Sequence, residues 1–352
     1  MKLNNLRTIM KEEEIDTLLI TNPFNRRYMT GFTGSAGIAL ISLTDAVFIT
    51  DFRYMEQAAK EIEGFRIVKH EKTIIEEVVK QAQLMKSTVL GFEKDDMSFG
   101  LYELYTKEIT AQMKPMSGLV EKLRMVKNAD EIVILKKAAK IADETFDHII
   151  NFIRPGITEL DVSNELEMFM RKQGATSSSF SIIVASGIRS ALPHGVATNK
   201  VIESGDFVTM DYGALYDGYI SDITRTISVG QPSDKLKEIY EITLAAQELA
   251  VKNIKPGMTG IEADAFARDY ITSKGYGVEF GHSTGHGIGL EVHEGPGLSF
   301  RSKTVLVPNM AVTVEPGIYL PGIGGVRIED DIIITENGNE RITFSTKELL
   351  IL

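Results

Sequence analysis

The hexapeptide Ile153–Thr158, IRPGIT, returns as Ile254–Thr259, IKPGMT, 101 residues further along the chain. Recurrence of a long unit decides architecture before any single element does. The surroundings of the two copies match. A long amphipathic segment precedes each, Asp130–Phe152 and Ser233–Asn253, and a second helical segment follows each, closing near Gly174 or Gly275. Thr158 and Thr259 stand where helix N-caps belong, and the glycines where C-terminal caps belong. β-rich sequence follows both helix pairs. The repeat therefore predicts a curved antiparallel sheet backed by two pseudo-symmetric helix pairs.

Each β-rich stretch ends in a hairpin bearing two carboxylates. In Val208–Thr226, VTMDYGALYDGYISDITRT, Asp211 and Asp222 lie on β-branched and aromatic runs joined by the turn-like Leu215–Gly218. Glu315 and Glu329 repeat the arrangement, with Pro316, Gly317, Pro321 and Gly322–Gly325 supplying the turn chemistry. A lone Asp in a hairpin is ordinarily a turn or surface group. The set is different, because Asp211 and Glu315 sit inside apolar alternating runs where an unpaired carboxylate is costly. A buried ion-pair network is the rival explanation, and for it the local sequence offers only Arg225 and Arg327. Gathered carboxylates repel one another and need cations. The expectation is two divalent metals held side by side on the pseudo-twofold axis, on the concave face of the sheet. One imidazole among the oxygens favours Mn, Co, Fe or Zn over calcium.

His286 is the candidate imidazole. His194, His282, His286 and His293 all fall in glycine-rich or turn-rich sequence, whereas His70 and His148 read as structural or exposed. Positions 282, 286 and 293 are too crowded for three ligands, so one ligand and two catalytic imidazoles is the economical assignment. Gly281–Gly285 formally matches G-x-S-x-G, but a glycine-spaced β-like run follows it where a nucleophile elbow needs a helix. Gly285, Gly287 and Gly289 lack the last spacing of a dinucleotide fingerprint.

At 352 residues the chain suits about two domains of ~150 residues. From Asp16 to Glu93 strand-like runs (17–21, 37–43, 46–50, 65–68, 88–92) alternate with helical ones (54–62, 73–84), an α/β domain with a mixed sheet. Ser98–Ile109 reads as another helix, while Ser117–Asn128 is charged and aperiodic. The boundary is placed there, giving domains 1–125 and 126–352. A net charge of −11 argues against nucleic acid or an anionic membrane as partner. Lys11–Glu14 break the first apolar stretch and no later run reaches ~18 apolar residues, so the expectation is a cytoplasmic protein that does not enter membranes. With no cysteine, any metal must be held by His, Asp and Glu.

These residues carry a family resemblance. The chain resembles the creatinase, prolidase and methionine aminopeptidase ("pita-bread") metallopeptidases, and among them Xaa-Pro dipeptidases (prolidases) and aminopeptidase P. Asn25–Ser35 (NRRYMTGFTGS) and Phe48–Tyr54 (FITDFRY) resemble the family's N-terminal domain, and Arg124–Glu131 (RMVKNADE) its entry into the catalytic domain. D-x-G…D-x-T-R-T, G-H-x-x-G-x-x-x-H, E-P-G-x-Y and R-x-E-D match the family's ligand segments, with Asp211, Asp222, His286, Glu315 and Glu329 as ligands.

The resemblance implies an α+β two-domain protein, a creatinase-like α/β domain followed by a pita-bread fold. It also implies a homodimer with two divalent ions, manganese expected and cobalt, zinc or iron as alternatives. The implied reaction is hydrolysis of the Xaa-Pro bond of a dipeptide by a metal-bridging hydroxide. Glu315 would shuttle the proton, His293 and His194 would donate hydrogen bonds to substrate and developing oxyanion, and His282 would complete the pocket. Arg327 would orient a ligand or the substrate. The nearest alternative is aminopeptidase P acting on longer peptides with proline second. Creatinase-like amidino chemistry and a ligand-free binding module fit the complete ligand set less well, and the extra N-terminal domain disfavours a plain methionine aminopeptidase.

Overall fold

The computed structural model describes residues 2–352. It divides into two compact units, parted in the chain between Arg124 and Met125. In the first, α1 (Lys2–Glu12) leads into β1 (Thr17–Ile20), β2 (Ile38–Ser42), β3 (Ala46–Thr50), β4 (Arg66–Lys69), β5 (Val89–Glu93) and β6 (Gln112–Met116). They form one mixed sheet in the order β4-β3-β2-β1-β5-β6. β1 pairs antiparallel with β2 and parallel with β5. Every residue of β1, β2 and β3 is buried, which is why these strands are near-continuous apolar runs. Leu19, Leu40, Val47 and Leu90 join a core with Val78 and Ala82 of α4 (Ile74–Leu84) and Tyr105 of α5 (Phe99–Glu108). The connecting helices are α2 (Pro23–Thr30), α3 (Met55–Glu61) and α6 (Leu119–Met125).

Three of these elements escape a periodicity reading. α2 is announced by its cap, since Asn22 accepts from the N–H groups of Phe24 and Asn25 and Pro23 opens the helix, but eight residues show little period. β6 is an edge strand, partly exposed, with Pro115 inside it. The aperiodic 117–128 segment holds α6, a helix of only seven residues.

The second unit shows the repeat. Helices α7 (Ala129–Ile149) and α8 (Glu159–Lys172) correspond to α9 (Asp234–Asn253) and α10 (Gly260–Ser273). Thr158 and Thr259 both close capping boxes, with Asp161 and Glu262 respectively. Gly174 and Gly275 both take positive φ just past the second helices, at 103° and 89°. The strands of the first half are β7 (Ser177–Ser178), β8 (Ile183–Ser186), β9 (Phe207–Tyr212), β10 (Ala214–Tyr216), β11 (Tyr219–Ile220) and β12 (Ile223–Ser228). Those of the second are β13 (Gly285–Gly287), β14 (Glu294–Leu298), β15 (Ala311–Val314), β16 (Gly317–Leu320), β17 (Gly324–Arg327), β18 (Asp330–Ile334) and β19 (Asn339–Arg341). Four antiparallel sets result, β11-β10-β7, β12-β9-β8, β14-β13-β15-β18-β19 and the β16-β17 ribbon, and the Glu329 N–H bonds the Thr224 carbonyl at 3.1 Å between the second and third.

Strand alternation sorts the side chains. Val208, Met210 and Tyr212 of β9 and Ile223 and Ile227 of β12 pack against Phe146, Leu166 and Met170 of the first helix pair. Val312 and Val314 of β15, Val326 of β17 and Ile332 and Ile334 of β18 pack with Tyr240 and Ile271 of the second. Asp211, Thr224, Thr313, Arg327 and Glu329 occupy the intervening positions and must face the other side.

Candidate metal centre

That other side is a cavity of about 620 Å3. Asp211, Asp222, His286, Glu315, Glu329, His194, His282, His293 and Arg327 all line it, so the structure brings together every site residue expected from the sequence. The topology explains why. Asp211 pairs with Thr224 in the β9–β12 register, which puts Asp222 on the same face, one step diagonal. In the second hairpin Val314 pairs with Asp330 and Gly317 with Arg327, so one register brackets Glu315 and Glu329 as opposing positions. The Glu315 N–H bonds the Thr284 carbonyl at 2.7 Å and brings the His286 strand alongside.

Ligating atoms of Asp222, His286 and Glu329 lie within 4.8 Å of one another. His286 Nε2 stands 3.3 Å from Glu315 Oε1 and 3.8 Å from Asp222 Oδ2. The Nδ1–H of His286 donates to the Gly287 carbonyl at 3.1 Å, leaving Nε2 as the lone-pair nitrogen. The remaining partners are fixed from behind. Thr224 Oγ1 donates to Glu329 Oε2 at 2.6 Å, Thr313 Oγ1 to Glu315 Oε1 at 3.3 Å, and the Asp222 N–H to Asp331 Oδ2 at 2.9 Å.

Protein charge alone does not balance this cluster. Arg225 is spent on Asp330, 2.8 Å away, and on backbone carbonyls, while Arg327 pairs Asp211 at 2.5 Å. Burial pushes the carboxyls of Asp222 and Glu329 well above the usual range, and repulsion from neighbouring carboxylates adds to it. Glu315 rises to about 8, again through burial first, although Arg327 pulls the other way. Asp211 Oδ1 and Asp222 Oδ1 are buried without a hydrogen-bond partner. Orphaned carboxylate oxygens, too few cations and an imidazole presenting its bare nitrogen form a donor set that suits divalent metal. Among the described residues the ion-pair rival lacks its cations.

Sequence reasoning missed two contributors. Tyr319 lines the cavity, accepting from Arg327 Nη1 at 2.8 Å and meeting His282 Nε2 at 2.9 Å. Because His282 Nδ1–H donates to the Ser283 carbonyl at 2.8 Å, Nε2 takes the tyrosine proton, a neutral state that burial favours by lowering the imidazole to about 4. A bonded path thus runs from Asp211 through Arg327 and Tyr319 to His282. Thr224 is the other, accepting from Arg327 Nε at 3.1 Å while donating to Glu329. Both lie inside segments already singled out, Tyr319 closing E-P-G-x-Y and Thr224 closing D-x-T, and strand parity was the available signal. Ser283 lines the cavity too, but β13 follows it, with no helix to make an elbow.

The sequence matches the model of metallopeptidase family M24 over residues 133–336 and that of the creatinase/prolidase N-terminal domain over residues 2–126. The chain belongs to family M24. Similar M24 relatives include the Xaa-Pro dipeptidase of Pyrococcus furiosus, 43% identical over 99% of both chains. A solved Xaa-Pro dipeptidase from Bacillus anthracis superposes with a TM-score of 0.99 at 65% identity, covering 100% of this chain and 99% of that one. The X-Pro aminopeptidase from Thermotoga maritima superposes with a TM-score of 0.90 at 42% identity, over 96% and 98% of the two chains. The M24 protein described here is therefore a peptidase of the metal-dependent class, built as a creatinase-like N-terminal domain and an M24 domain.

Proposed function

We propose that this M24 peptidase hydrolyses the Xaa-Pro bond of dipeptides, as a prolidase holding two divalent ions. The observation that carries the reading is the convergence of Asp211, Asp222, His286, Glu315 and Glu329 on one cavity whose other walls include Phe180, Ile183, Pro193, Val196 and Val292. Those five would hold the metals, which when bound acidify a water and polarise the scissile carbonyl. The rest falls to the chain. Glu315, lining the cavity beside His286, takes the proton of the attacking water and passes it to the departing proline nitrogen. His293 and His194 donate to the carbonyl oxygen as its charge grows. Arg327 holds Asp211, and Tyr319 holds His282 in the pocket wall. An Xaa-Pro amide has no N–H to offer, so recognition falls to the shape of the apolar wall.

Manganese as the metal, a homodimer as the assembly and the cytoplasm as the compartment complete the proposal on the strength of the family resemblance, with catalysis assigned to 126–352. The likeness to the X-Pro aminopeptidase supports a second reading, release of the N-terminal residue from longer peptides. Proline release from an Xaa-Pro dipeptide compared with first-residue release from an Xaa-Pro-Yaa tripeptide separates the two. Preference for the dipeptide supports the prolidase, and preference for the tripeptide supports the alternative.

A further inference from the structure

Lys127 and Glu294 belong to no ligand set, yet their side chains are 1% and 5% exposed, with Nζ 3.4 Å from Oε2. Glu294 Oε1 accepts from the N–H groups of Leu290 and Glu291 at 2.8 and 3.0 Å. Those amides open the turn that delivers Val292 and His293 to the cavity. The His293 ring centre lies 4.3 Å from that of His286. The main chain of Glu294 meanwhile pairs with Gly287 across β13 and β14. One residue therefore grips the His286–His293 segment at both ends. Contact is close, since a Cβ added to Gly289 would fall 2.7 Å from Glu294 Oε2.

A carboxylate removed from water needs a matching charge. Lys127 supplies it, and is itself anchored by its N–H on the Asn309 carbonyl at 2.9 Å and its Nζ on the Met125 carbonyl at 3.3 Å. We propose that the buried Lys127–Glu294 pair is a positioning device for His293, holding the loop that presents this imidazole to the substrate. The proposal rests on reading the cavity as the peptidase site.

The test compares Lys127→Met, Glu294→Gln and the double variant in the full-length, metal-loaded protein. Two readouts are taken, kcat and KM on an Xaa-Pro dipeptide and hydrogen exchange across residues 287–294. Either single change breaks the pair and with it the hold on the loop, so each is expected to lower kcat by about tenfold or more, leave KM within about twofold, and speed exchange at Leu290 and Glu291. The double variant removes both charges of the pair together, and is expected to lose less than the sum of the two single losses. Exchange needs no substrate, so it separates failure of this proposal from failure of the peptidase assignment. If Lys127→Met does not fold, Glu294→Gln against the double variant makes the same comparison. Losses in the double variant equal to the sum of the single losses, or unchanged exchange in the single variants, would overturn the pair as a positioning device.

Discussion

His286 donates from Nδ1 to the carbonyl of Gly287 at 3.1 Å, and that single bond decides which nitrogen the ring can offer a metal. Nε2 then points at Glu315 and Asp222. Replacing His286 by Ala should weaken divalent metal binding by more than about 100-fold, beyond the ~10–100-fold typical of residues that only support a ligand. Calorimetric titration of the metal-free variant checks this, with the far-UV spectrum unchanged.

Thr224 supports Glu329 from behind, and Thr224→Val keeps its shape while removing the hydroxyl. Metal affinity is expected to fall by about tenfold. The same titration reads it, and a variant indistinguishable from wild type would show that the threonine is only packing.

Tyr319→Phe severs the path between Arg327 and His282. One lost hydrogen bond to a charged group corresponds to about tenfold in rate, and the loss should appear in kcat with the metal still bound. A loss confined to KM would place Tyr319 in substrate binding instead.

The metal-free protein should respond to pH in a definite direction. Asp222, Glu315 and Glu329 have raised folded-state values, so the native state holds more protons than the unfolded chain between about 4.5 and about 8. Stability of the metal-free form is present at the low end of that window and falls as pH rises through it. Metal replaces those protons, so the Tm difference between loaded and metal-free protein should widen from pH 5 to pH 8. Thermal unfolding at both pH values, with and without metal, measures it.

Arg225 is buried on the helix-facing side, where it joins Asp330 to the carbonyls of Ser345 and Thr346 near the C-terminus. Arg225→Met leaves Asp330 with Lys347 and Arg341 at Oδ2 and with the Thr343 hydroxyl at Oδ1, but it takes the donors from the carbonyls of Ser345 and Thr346. The expected cost, from buried carbonyls left without donors, is about 1–3 kcal/mol in chemical denaturation.

Much of this was legible in the chain. The IRPGIT and IKPGMT copies located both helix pairs, because the capping threonine and the closing glycine are local requirements written in residue type. The candidate ligands were legible because a carboxylate inside an alternating apolar run has few structural excuses. Tyr319, Thr224 and the Lys127–Glu294 pair were not, since their roles depend on which segments lie beside each other in space, 37 residues apart for Tyr319 and His282 and 105 for Thr224 and Glu329. α6 and β6 were lost to shortness and to an exposed edge, where neither periodicity nor burial marks the sequence.

The Asp–His–Glu cluster is proposed to work only as a metal centre for Xaa-Pro cleavage. Chelator-stripped protein should be titrated with Mn2+ while bound metal and proline release from an Xaa-Pro dipeptide are followed together. The account predicts no release without metal and activity that rises as two equivalents per chain are taken up. Cleavage by the metal-free protein, or two bound equivalents with no cleavage, would contradict it.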